Sequence, residues 1–351
     1  MAEKLDNLHC DFSSIDGLEK DLNVVITARD DGKTTNFLMK KFWEDWKRTK
    51  SPLILIFRNI VDIKKESLQY YANLMNKFLD DKIELEVSQE DCKSGIGTAY
   101  WKKERFFHFV ALSVKEATLK KTAFPDAHFI LFDELEINPK NKEKYLKNEY
   151  GRFCAFFGTQ MKLSKCKFYG LTNPYSRVNP FFLGFGADTS KIELGKILKG
   201  KTWAIWYKKM NPLLVEKIKE KNPLYSEESE YRFMALDGEM ILDNMNHVAP
   251  MRGKYRLETS FVYNGERFGA YRSIDYDNEE IPLYYIKKEK DFSKRRLSYA
   301  FSFEDLISGS VIADKREIAS FAHIKQAMRN QDVDFDSIET EQCFNEIYYY
   351  L

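Results

Sequence analysis

Phe129-Ile130-Leu131-Phe132-Asp133-Glu134 is an apolar run that ends in two carboxylates. A continuous apolar run of this length suits a strand buried on both faces of a parallel sheet. Ligands of open α/β sheets bind at the carboxyl ends of such strands. The run therefore predicts a parallel α/β sheet with Asp133 and Glu134 at its functional edge. The same pair could instead be a helix N-cap with an acid in the first turn.

A second motif lies roughly 100 residues earlier and has the form of a phosphate-binding loop. Residues 22–27 predict a strand and residues 37–46 a helix, with Gly32-Lys33-Thr34 between them. A helix that begins at such a loop presents backbone N–H groups and its dipole to phosphates. Thr27 stands where the standard pattern has glycine, which weakens the match. The candidate nucleotide-binding residues are Thr27, Ala28, Arg29, Asp30, Asp31, Gly32, Lys33, Thr34 and Thr35.

Together the two motifs predict nucleotide hydrolysis. Lys33 is expected to bridge the β- and γ-phosphates of ATP, and Thr34 and Asp133 are expected to hold Mg²⁺. Glu134 is expected to polarise the attacking water as general base. The order of the motifs and the span between them, which leaves room for an intervening strand and helices, favour this interpretation over two chance turns.

Two further residues complete the catalytic candidates. Arg29 lies in the loop and could contact the γ-phosphate, and Asn173 ends a later predicted strand, where it could sense that phosphate. Asn173 could equally cap the turn before Pro174. Arg58 ends another predicted strand at the same edge. A cation supplied by a neighbouring subunit has four candidates, which the sequence does not rank: Arg152, Lys162, Lys165 and Arg177.

The length of 351 residues predicts two domains. Repeated strand–helix units predict a parallel α/β domain over residues 1–195. The lysine-rich residues 196–228 are expected to form a connector, and residues 229–351 predict a smaller α+β domain with a hairpin at Asn264-Gly265.

Composition restricts the class of protein. Hydrophobic residues make up 44% and charged residues 31%, which is typical of a globular protein, and the net charge of +1 gives no sign of nucleic-acid binding. Five scattered cysteines suit a reducing cytosol rather than a disulfide framework or zinc site. No apolar run approaches the roughly 18 residues of a membrane span, so no membrane partner is expected.

The second predicted domain has two sets of charged residues. Lys287, Lys288, Lys290, Lys294, Arg295 and Arg296 could neutralise DNA phosphates or form a solvated loop. Glu258, Asp275 and Asp277 lie on or beside predicted strands. Two-metal nucleases need three or four converging carboxylates, so a nuclease site is not excluded, although strand-end acids are usually turn residues.

The motif set resembles the DNA-packaging ATPases of small protein-primed tailed phages, the phi-29-like group. The motifs that carry this resemblance lie in both halves of the chain. The resemblance rests on Ala28-Arg29 with Gly32-Lys33-Thr34, on Phe129 to Glu134, on Leu171-Thr172-Asn173 with Val178-Asn179-Pro180-Phe181-Phe182, and on Phe261-Val262-Tyr263-Asn264-Gly265 with Phe268-Gly269.

The resemblance implies an additional-strand (RecA-like) P-loop ATPase domain and an RNase H-like C-terminal domain that binds DNA without cutting it. It implies a homomeric ring, expected to be a pentamer, that drives double-stranded DNA into a preformed capsid. The ring would act in the host cytoplasm at the procapsid vertex, on the portal, and a packaging RNA could serve as adaptor.

Three alternatives remain open from the sequence. A large terminase with an active nuclease would cut the DNA that it packages. A DNA- or portal-binding protein with a decayed P-loop would have no enzymatic activity. A helicase or other remodelling ATPase would use the same motifs for strand separation.

Overall fold

The computed structural model describes residues 7–137, 145–146, 148–177, 179–222, 235–236, 238, 240, 248–274, 281–289, 297–313, 319–329 and 332–347. The chain divides into two compact units, Met1–Leu242 and Asp243–Leu351. Among the described helices, none combines the length and the apolar character that a membrane crossing requires.

The first unit contains a nine-stranded sheet. Its strands are β1 Leu22–Ile26, β2 Leu53–Phe57, β3 Glu86–Val87, β4 Ile96–Trp101, β5 Glu104–Ala111, β6 Phe129–Asp133, β7 Lys167–Thr172, β8 Ile197–Lys199 and β9 Trp203–Tyr207. They are ordered β3-β4-β5-β2-β6-β7-β1-β9-β8. The six strands from β5 to β9 in this order are parallel, and β3, β4 and β8 add antiparallel edges.

Strand β7 lies between β1, which precedes the phosphate loop, and β6, which ends in the acids. This inserted strand confirms the predicted additional-strand α/β fold. All five residues of β2 are buried, as expected of a strand covered on both faces. The sheet therefore brings the ends of β6, β7 and β1 side by side at one edge.

The helices of the first unit are α1 Ser13–Asp16, α2 Lys33–Asn36, α3 Glu44–Thr49, α4 Lys65–Asn76, α5 Gln89–Ser94, α6 Glu116–Leu119, α7 Glu149–Leu163, α8 Pro180–Gly184 and α9 Pro212–Lys221. A π-helical stretch, Phe37–Trp43, joins α2 to α3, so the chain is helical from Lys33 to Thr49. The predicted helix over 37–46 is part of this longer one. Phe37, Leu38 and Phe42 are its buried contacts with the core.

The prediction that residues 196–228 form a connector is wrong for strands β8 and β9, which belong to the sheet of the first unit. Strand β9 pairs in parallel with β1 over its whole length, and β8 pairs with β9, so both extend the first sheet. Ala204 and Ile205 are fully buried in this addition. The apolar residues 202–207 suggest a short strand in the sequence, but the lysines on either side of them favour a connector over a strand of the first sheet. The division between the units falls instead between residues 242 and 243.

The second unit contains a six-stranded sheet. Its elements are β10 Tyr255–Tyr263, β11 Glu266–Ser273, β12 Tyr284–Lys288, β13 Ser298–Ala300, β14 Ser310–Ile312, β15 Val333–Phe335, α10 Ala319–Arg329 and α11 Ile338–Ile347. The order is β14-β13-β10-β11-β12-β15. Strands β10 to β12 form an antiparallel meander, whereas β13 is parallel to β10 and β14 to β13. This arrangement agrees with the predicted RNase H-like fold.

The hairpin predicted at Asn264-Gly265 is confirmed, with positive φ angles of 51° and 78° as a tight hairpin turn requires. Phe261, Phe321 and Phe344 form the centre of the core between this sheet and its helices. A 3₁₀ turn, Phe303–Asp305, lies between β13 and β14.

Candidate functional site

The loop between β1 and α2 has the backbone geometry of a phosphate-binding turn. Gly32 adopts a left-handed conformation with φ of 65° directly before the helix. A side chain there would be strained, and its Cβ would come within 2.8 Å of the His9 ring. The first N–H groups of the helix that starts at Lys33 have no intrahelical partner, so they are suited to an anion.

Thr27, which stands where the standard pattern has glycine, forms a hydrogen bond across the loop. Its hydroxyl donates to Asp31 Oδ2 at 2.6 Å. Asp31 is fully buried and also accepts from Lys208 Nζ at 2.7 Å. Burial raises the pKa of Asp31, and the Lys208 ammonium opposes this shift. The Lys208 ammonium therefore balances the buried negative charge of Asp31 at the base of this loop.

Lys33 extends from the loop to the end of β7. Its Nζ donates to Asn173 Oδ1 at 2.7 Å, and the residue is only 7% exposed. Burial lowers the pKa of Lys33, whereas Asp133 and Asp31 oppose that shift. Asn173 in turn donates to the Tyr175 hydroxyl at 3.3 Å.

Thr34 and Asp133 meet although 99 positions separate them in sequence. The threonine hydroxyl lies 2.9 Å from Asp133 Oδ2 and 3.1 Å from Oδ1. Burial raises the pKa of Asp133 to about 6, and the nearby Lys33 opposes the shift. A carboxylate in this environment is stabilised by a cation placed beside it.

Glu134 is exposed at the same edge and has an unusual backbone, with φ of 57°. The residue after it is fixed on both sides: the Leu135 N–H donates to Leu171 O at 3.0 Å, and Leu135 O accepts from Arg58 Nη2 at 2.8 Å. Left-handed backbone at a residue other than glycine occurs where surrounding contacts impose it. These contacts therefore hold Glu134 in place.

Arg58 is a structural anchor rather than a free cation. Its Nε lies 3.0 Å from both carboxylate oxygens of Glu149, which is fully buried at the start of α7. Burial raises the pKa of Glu149, and Arg58 opposes the shift. Together with the bond to Leu135 O, this pair connects α7 to the segment that follows the two acids.

A second buried acid connects the loops after β6 and β7. Glu136 accepts from the Ser176 N–H at 3.0 Å and from Asn179 Nδ2 at 3.1 Å. Asn179 also caps α8, because its Oδ1 accepts from the N–H groups of Phe181 and Phe182. The segment after Asn173 is thus tied to the segment after Glu134.

The donor set fits Mg²⁺ and a triphosphate. Magnesium prefers oxygen ligands, and in nucleotide enzymes it is bound by one or two carboxylates together with phosphates. Within the described residues, no group of three or more His, Cys, Asp or Glu side chains could hold a metal by itself. Asp133 and Thr34 can therefore supply part of a magnesium shell that phosphate oxygens and water complete.

A family model described as "Podovirus DNA encapsidation protein (Gp16)" matches residues 7–350. The chain belongs to this family. Two solved structures are similar to the chain over nearly its whole length. The bacteriophage Phi-29 viral genome packaging motor assembly has a TM-score of 0.66 and 19% identity, covering 98% of this chain and 99% of that one. The Phi-28 gp11 DNA packaging motor has a TM-score of 0.62 and 17% identity, covering 98% of each. No curated protein matches the chain in sequence.

The candidates for a cation supplied in trans occupy different positions in the first unit. Arg152 donates to Leu112 O at 3.3 Å and Val114 O at 3.1 Å within its own chain. Lys162 and Lys165 are exposed before β7, at the opposite end of that strand from Asn173. Arg177 is half-buried, four residues beyond Asn173. Arg29 is exposed in the phosphate loop.

In the second unit, Glu258 lies at a bulge in β10, in a different environment from Asp133. It accepts from the Tyr284 hydroxyl at 3.0 Å, and it lies 3.8 Å from Arg272 and 4.0 Å from His323. The other two nuclease candidates, Asp275 and Asp277, lie outside the described residues.

Only part of the predicted basic patch lies in the described part of the chain. Lys287 pairs with Glu289 at 3.5 Å and Lys288 with Glu266 at 3.0 Å. Lys290, Lys294, Arg295 and Arg296 lie outside that part.

Sequence reasoning did not find Lys208, Glu149, Glu136 or Asn179. Asn179 had a local signal, since Asn followed by Pro is a typical helix start. The other three act through partners between 40 and 177 positions away, so no local pattern marks them.

Proposed function

We propose that this protein is an ATP-hydrolysing motor that drives double-stranded DNA into a preformed capsid. The observation that carries the proposal is a convergence at one sheet edge. Thr34 lies 2.9 Å from Asp133, and Lys33 lies 2.7 Å from Asn173. Residues from β6, β7 and the loop after β1 thus meet at one sheet edge, where a triphosphate and its metal would bind.

Each residue has a defined task in this proposal. Lys33 and the loop that begins at Thr27 bind the β- and γ-phosphates, while Thr34 and Asp133 hold Mg²⁺. The bound metal neutralises charge on the phosphates. Glu134 orients the attacking water and accepts its proton. Arg29, which is exposed in the loop, is placed to contact the γ-phosphate.

Hydrolysis is coupled to movement through Asn173. A phosphate that binds Lys33 competes with Asn173 for the same ammonium, so this hydrogen bond differs between nucleotide states. Asn173 is connected through Tyr175 and Ser176 to the bonds of Glu136 with the segment before α8. The nucleotide state would therefore change the loop after β7.

The proposed assembly is a homomeric ring, with the pentamer as the expected form, on the portal at the procapsid vertex in the host cytoplasm. A neighbouring subunit supplies a cation to each site, and a packaging RNA could connect the ring to the portal. The second unit binds DNA without cutting it. The hydrogen bond from Tyr284 and the nearby guanidinium of Arg272 support this last point, because they occupy the surroundings that a metal bound to Glu258 would need.

The test is ATPase activity of the full chain with and without double-stranded DNA, measured together with mass in solution. The expected result is DNA-stimulated hydrolysis by an oligomer that Lys33→Ala abolishes. Hydrolysis that survives Lys33→Ala, or its absence under all conditions, would support a binding protein with a decayed loop instead. Metal-dependent DNA cleavage that Asp275→Ala removes would support a nuclease-active terminase.

A further inference from the structure

Glu136, two residues after Glu134, accepts two hydrogen bonds from the loop after β7. The Ser176 N–H donates to its Oε2 at 3.0 Å, and Asn179 Nδ2 donates to its Oε1 at 3.1 Å. Glu136 is 2% exposed, so water does not readily replace either donor. Because each carboxylate oxygen faces an N–H group, an amide nitrogen in place of either oxygen would set two donors against each other. The position therefore requires an acceptor at both oxygens.

Asn179 joins this acid to the start of α8. Its Oδ1 accepts from the N–H groups of Phe181 and Phe182, at 3.0 Å each, while its Nδ2 donates to Glu136. The residue is 3% exposed. Phe181 is fully buried and packs edge-on against Phe132 of β6, with ring centroids 5.7 Å apart. Loss of the bond between Asn179 and Glu136 would therefore disturb the packing of α8 on β6.

The two segments that this acid connects contain the residues proposed to act on the γ-phosphate and on water. Glu134 lies two residues before Glu136, and Asn173 lies three residues before Ser176. Asn173 accepts from Lys33 at 2.7 Å. Residues 173–177 form neither helix nor strand, so the hydrogen bonds of the sheet do not extend along them. Their position depends on contacts such as the bond to Glu136.

We propose that Glu136 is a positioning residue for ATP hydrolysis. Its bonds to Ser176 and Asn179, here called the Glu136 clamp, hold the loop after β7 at a fixed distance from the segment after β6. Asn173 and Glu134 then reach the γ-phosphate and the attacking water in the same geometry at each turnover. The inference rests on the proposed function, in which those two residues act on one nucleotide. Displacing a reacting group by about 1 Å can cost about 100-fold in rate, so the clamp affects kcat without touching ATP.

The experiment reverses the direction of one hydrogen bond in the clamp. Glu136→Gln places an amide N–H group opposite a donor, and Asn179→Asp places two carboxylates opposite each other. Asp and Asn are about equally good helix caps, so Asn179→Asp keeps the start of α8. In the double variant, the amide of Glu136→Gln donates to the carboxylate of Asn179→Asp, and its oxygen still accepts from Ser176. The double variant therefore restores both bonds of the clamp.

Each single variant is expected to lose about 100-fold in kcat for DNA-stimulated hydrolysis, with the Kd for ATP and Mg²⁺ within about threefold of wild type. The double variant is expected to recover kcat to within about threefold of wild type. Hydrogen–deuterium exchange of peptides that contain Ser176 gives a readout that needs no hydrolysis. Exchange is expected to be faster in both single variants than in wild type and the double variant, because a broken clamp lets the loop open.

The matched control is Asn211→Asp. Asn211 also precedes a proline and caps its helix, α9, through an oxygen that accepts from the Leu213 N–H at 3.0 Å. In the part of the chain that the structure describes, no carboxylate accepts from its amide. This variant is therefore expected to keep the kcat and the exchange rates of wild type.

Three results would overturn the positioning role alone. The first is wild-type kcat in either single variant, and the second is a loss of kcat that the double variant does not recover. The third is a loss of ATP affinity as large as the loss of kcat, because Glu136 would then support the fold of the whole site. If wild type hydrolyses no ATP, the proposed function fails together with this role, and the exchange data still show whether the clamp is present.

Discussion

Both units place an acid on an inner strand of a sheet, but the surroundings of the two acids differ. Asp133 in the first unit accepts from the hydroxyl of Thr34 beside the phosphate loop. Glu258 in the second unit accepts from Tyr284 and lies near Arg272 and His323. Both carboxylates accept from a hydroxyl and have a cation nearby, Lys33 for Asp133 and Arg272 for Glu258. Only Asp133 lies beside the helix start that follows the loop after β1, where phosphate oxygens could complete the ligand shell of a metal. Whether a carboxylate in a sheet can bind a metal thus depends on the side chains and backbone groups around it.

The largest expected effect is on kcat and concerns Glu134, which follows Asp133 at the end of β6. Glu134→Gln keeps the shape of the side chain but removes the general base, so ATP is expected to bind while kcat falls by roughly 10²–10⁴-fold. Steady-state hydrolysis and equilibrium ATP binding measure the two quantities. The matched control, Glu258→Gln in the second unit, is expected to leave kcat unchanged. A Glu134→Gln protein with near wild-type turnover would remove Glu134 from its role.

The second prediction concerns the anchor of Glu134. Arg58→Met leaves Glu149 buried without its partner and frees Leu135 O, so the first unit is expected to lose about 3–5 kcal/mol of stability and kcat to fall as Glu134 loses its support. Scanning calorimetry and hydrolysis rates measure these effects.

A double variant separates stability from positioning at this anchor. Arg58→Met with Glu149→Gln removes the unpaired charge, so it is expected to recover much of the stability but not kcat. Recovery of both would show that Arg58 acts only through folding.

A smaller effect is expected at the base of the loop. Lys208→Met leaves Asp31 without its compensating cation close to the phosphates, so the KM for ATP is expected to rise about tenfold, which corresponds to about 1.4 kcal/mol, with little change in kcat. Adding Asp31→Asn should restore KM, and Lys199→Met, at an exposed lysine, should not change it. A normal KM in Lys208→Met would mean that the ion pair is dispensable.

The smallest effect is expected in the second unit. Because the amide of Glu258→Gln can still accept from Tyr284, stability is expected to change by about 1 kcal/mol or less. Wild type incubated with Mg²⁺ and plasmid DNA is expected to leave the DNA intact. Gel electrophoresis checks this expectation. Cleavage by wild type that is lost in Glu258→Gln would show that Glu258, like Asp133, can support metal-dependent chemistry.

The parts of the fold that have continuous or alternating apolar patterns could be predicted from sequence. The run at 129–134 gave a buried strand with acids at its end, and Asn264-Gly265 gave the hairpin, because both patterns are local. The position of β9 could not be predicted, since Trp203–Tyr207 is short and lies among lysines. Its place beside β1 depends on pairing with a strand about 180 residues away.

The residues of the candidate site also fall into those that the sequence could predict and those that it could not. Gly32-Lys33-Thr34 and Asp133 are in motifs whose spacing the chemistry dictates, and the structure brings them together. Lys208 and Glu149 are single charged residues whose importance comes from burial against a distant partner, Asp31 or Arg58. A sequence gives no measure of burial at such positions, so nothing in it distinguishes these two residues from ordinary surface charges.

The backbone at Glu134 has a consequence for laboratory evolution of this protein. A residue with a β-carbon in the left-handed region costs about 1–2 kcal/mol, and glycine relieves that cost. A library selected for heat resistance alone is therefore expected to enrich Glu134→Gly. On the proposed role of Glu134, that variant would be more stable and would bind nucleotide without hydrolysing it. Selection for thermal robustness in this protein must therefore include turnover as a second criterion.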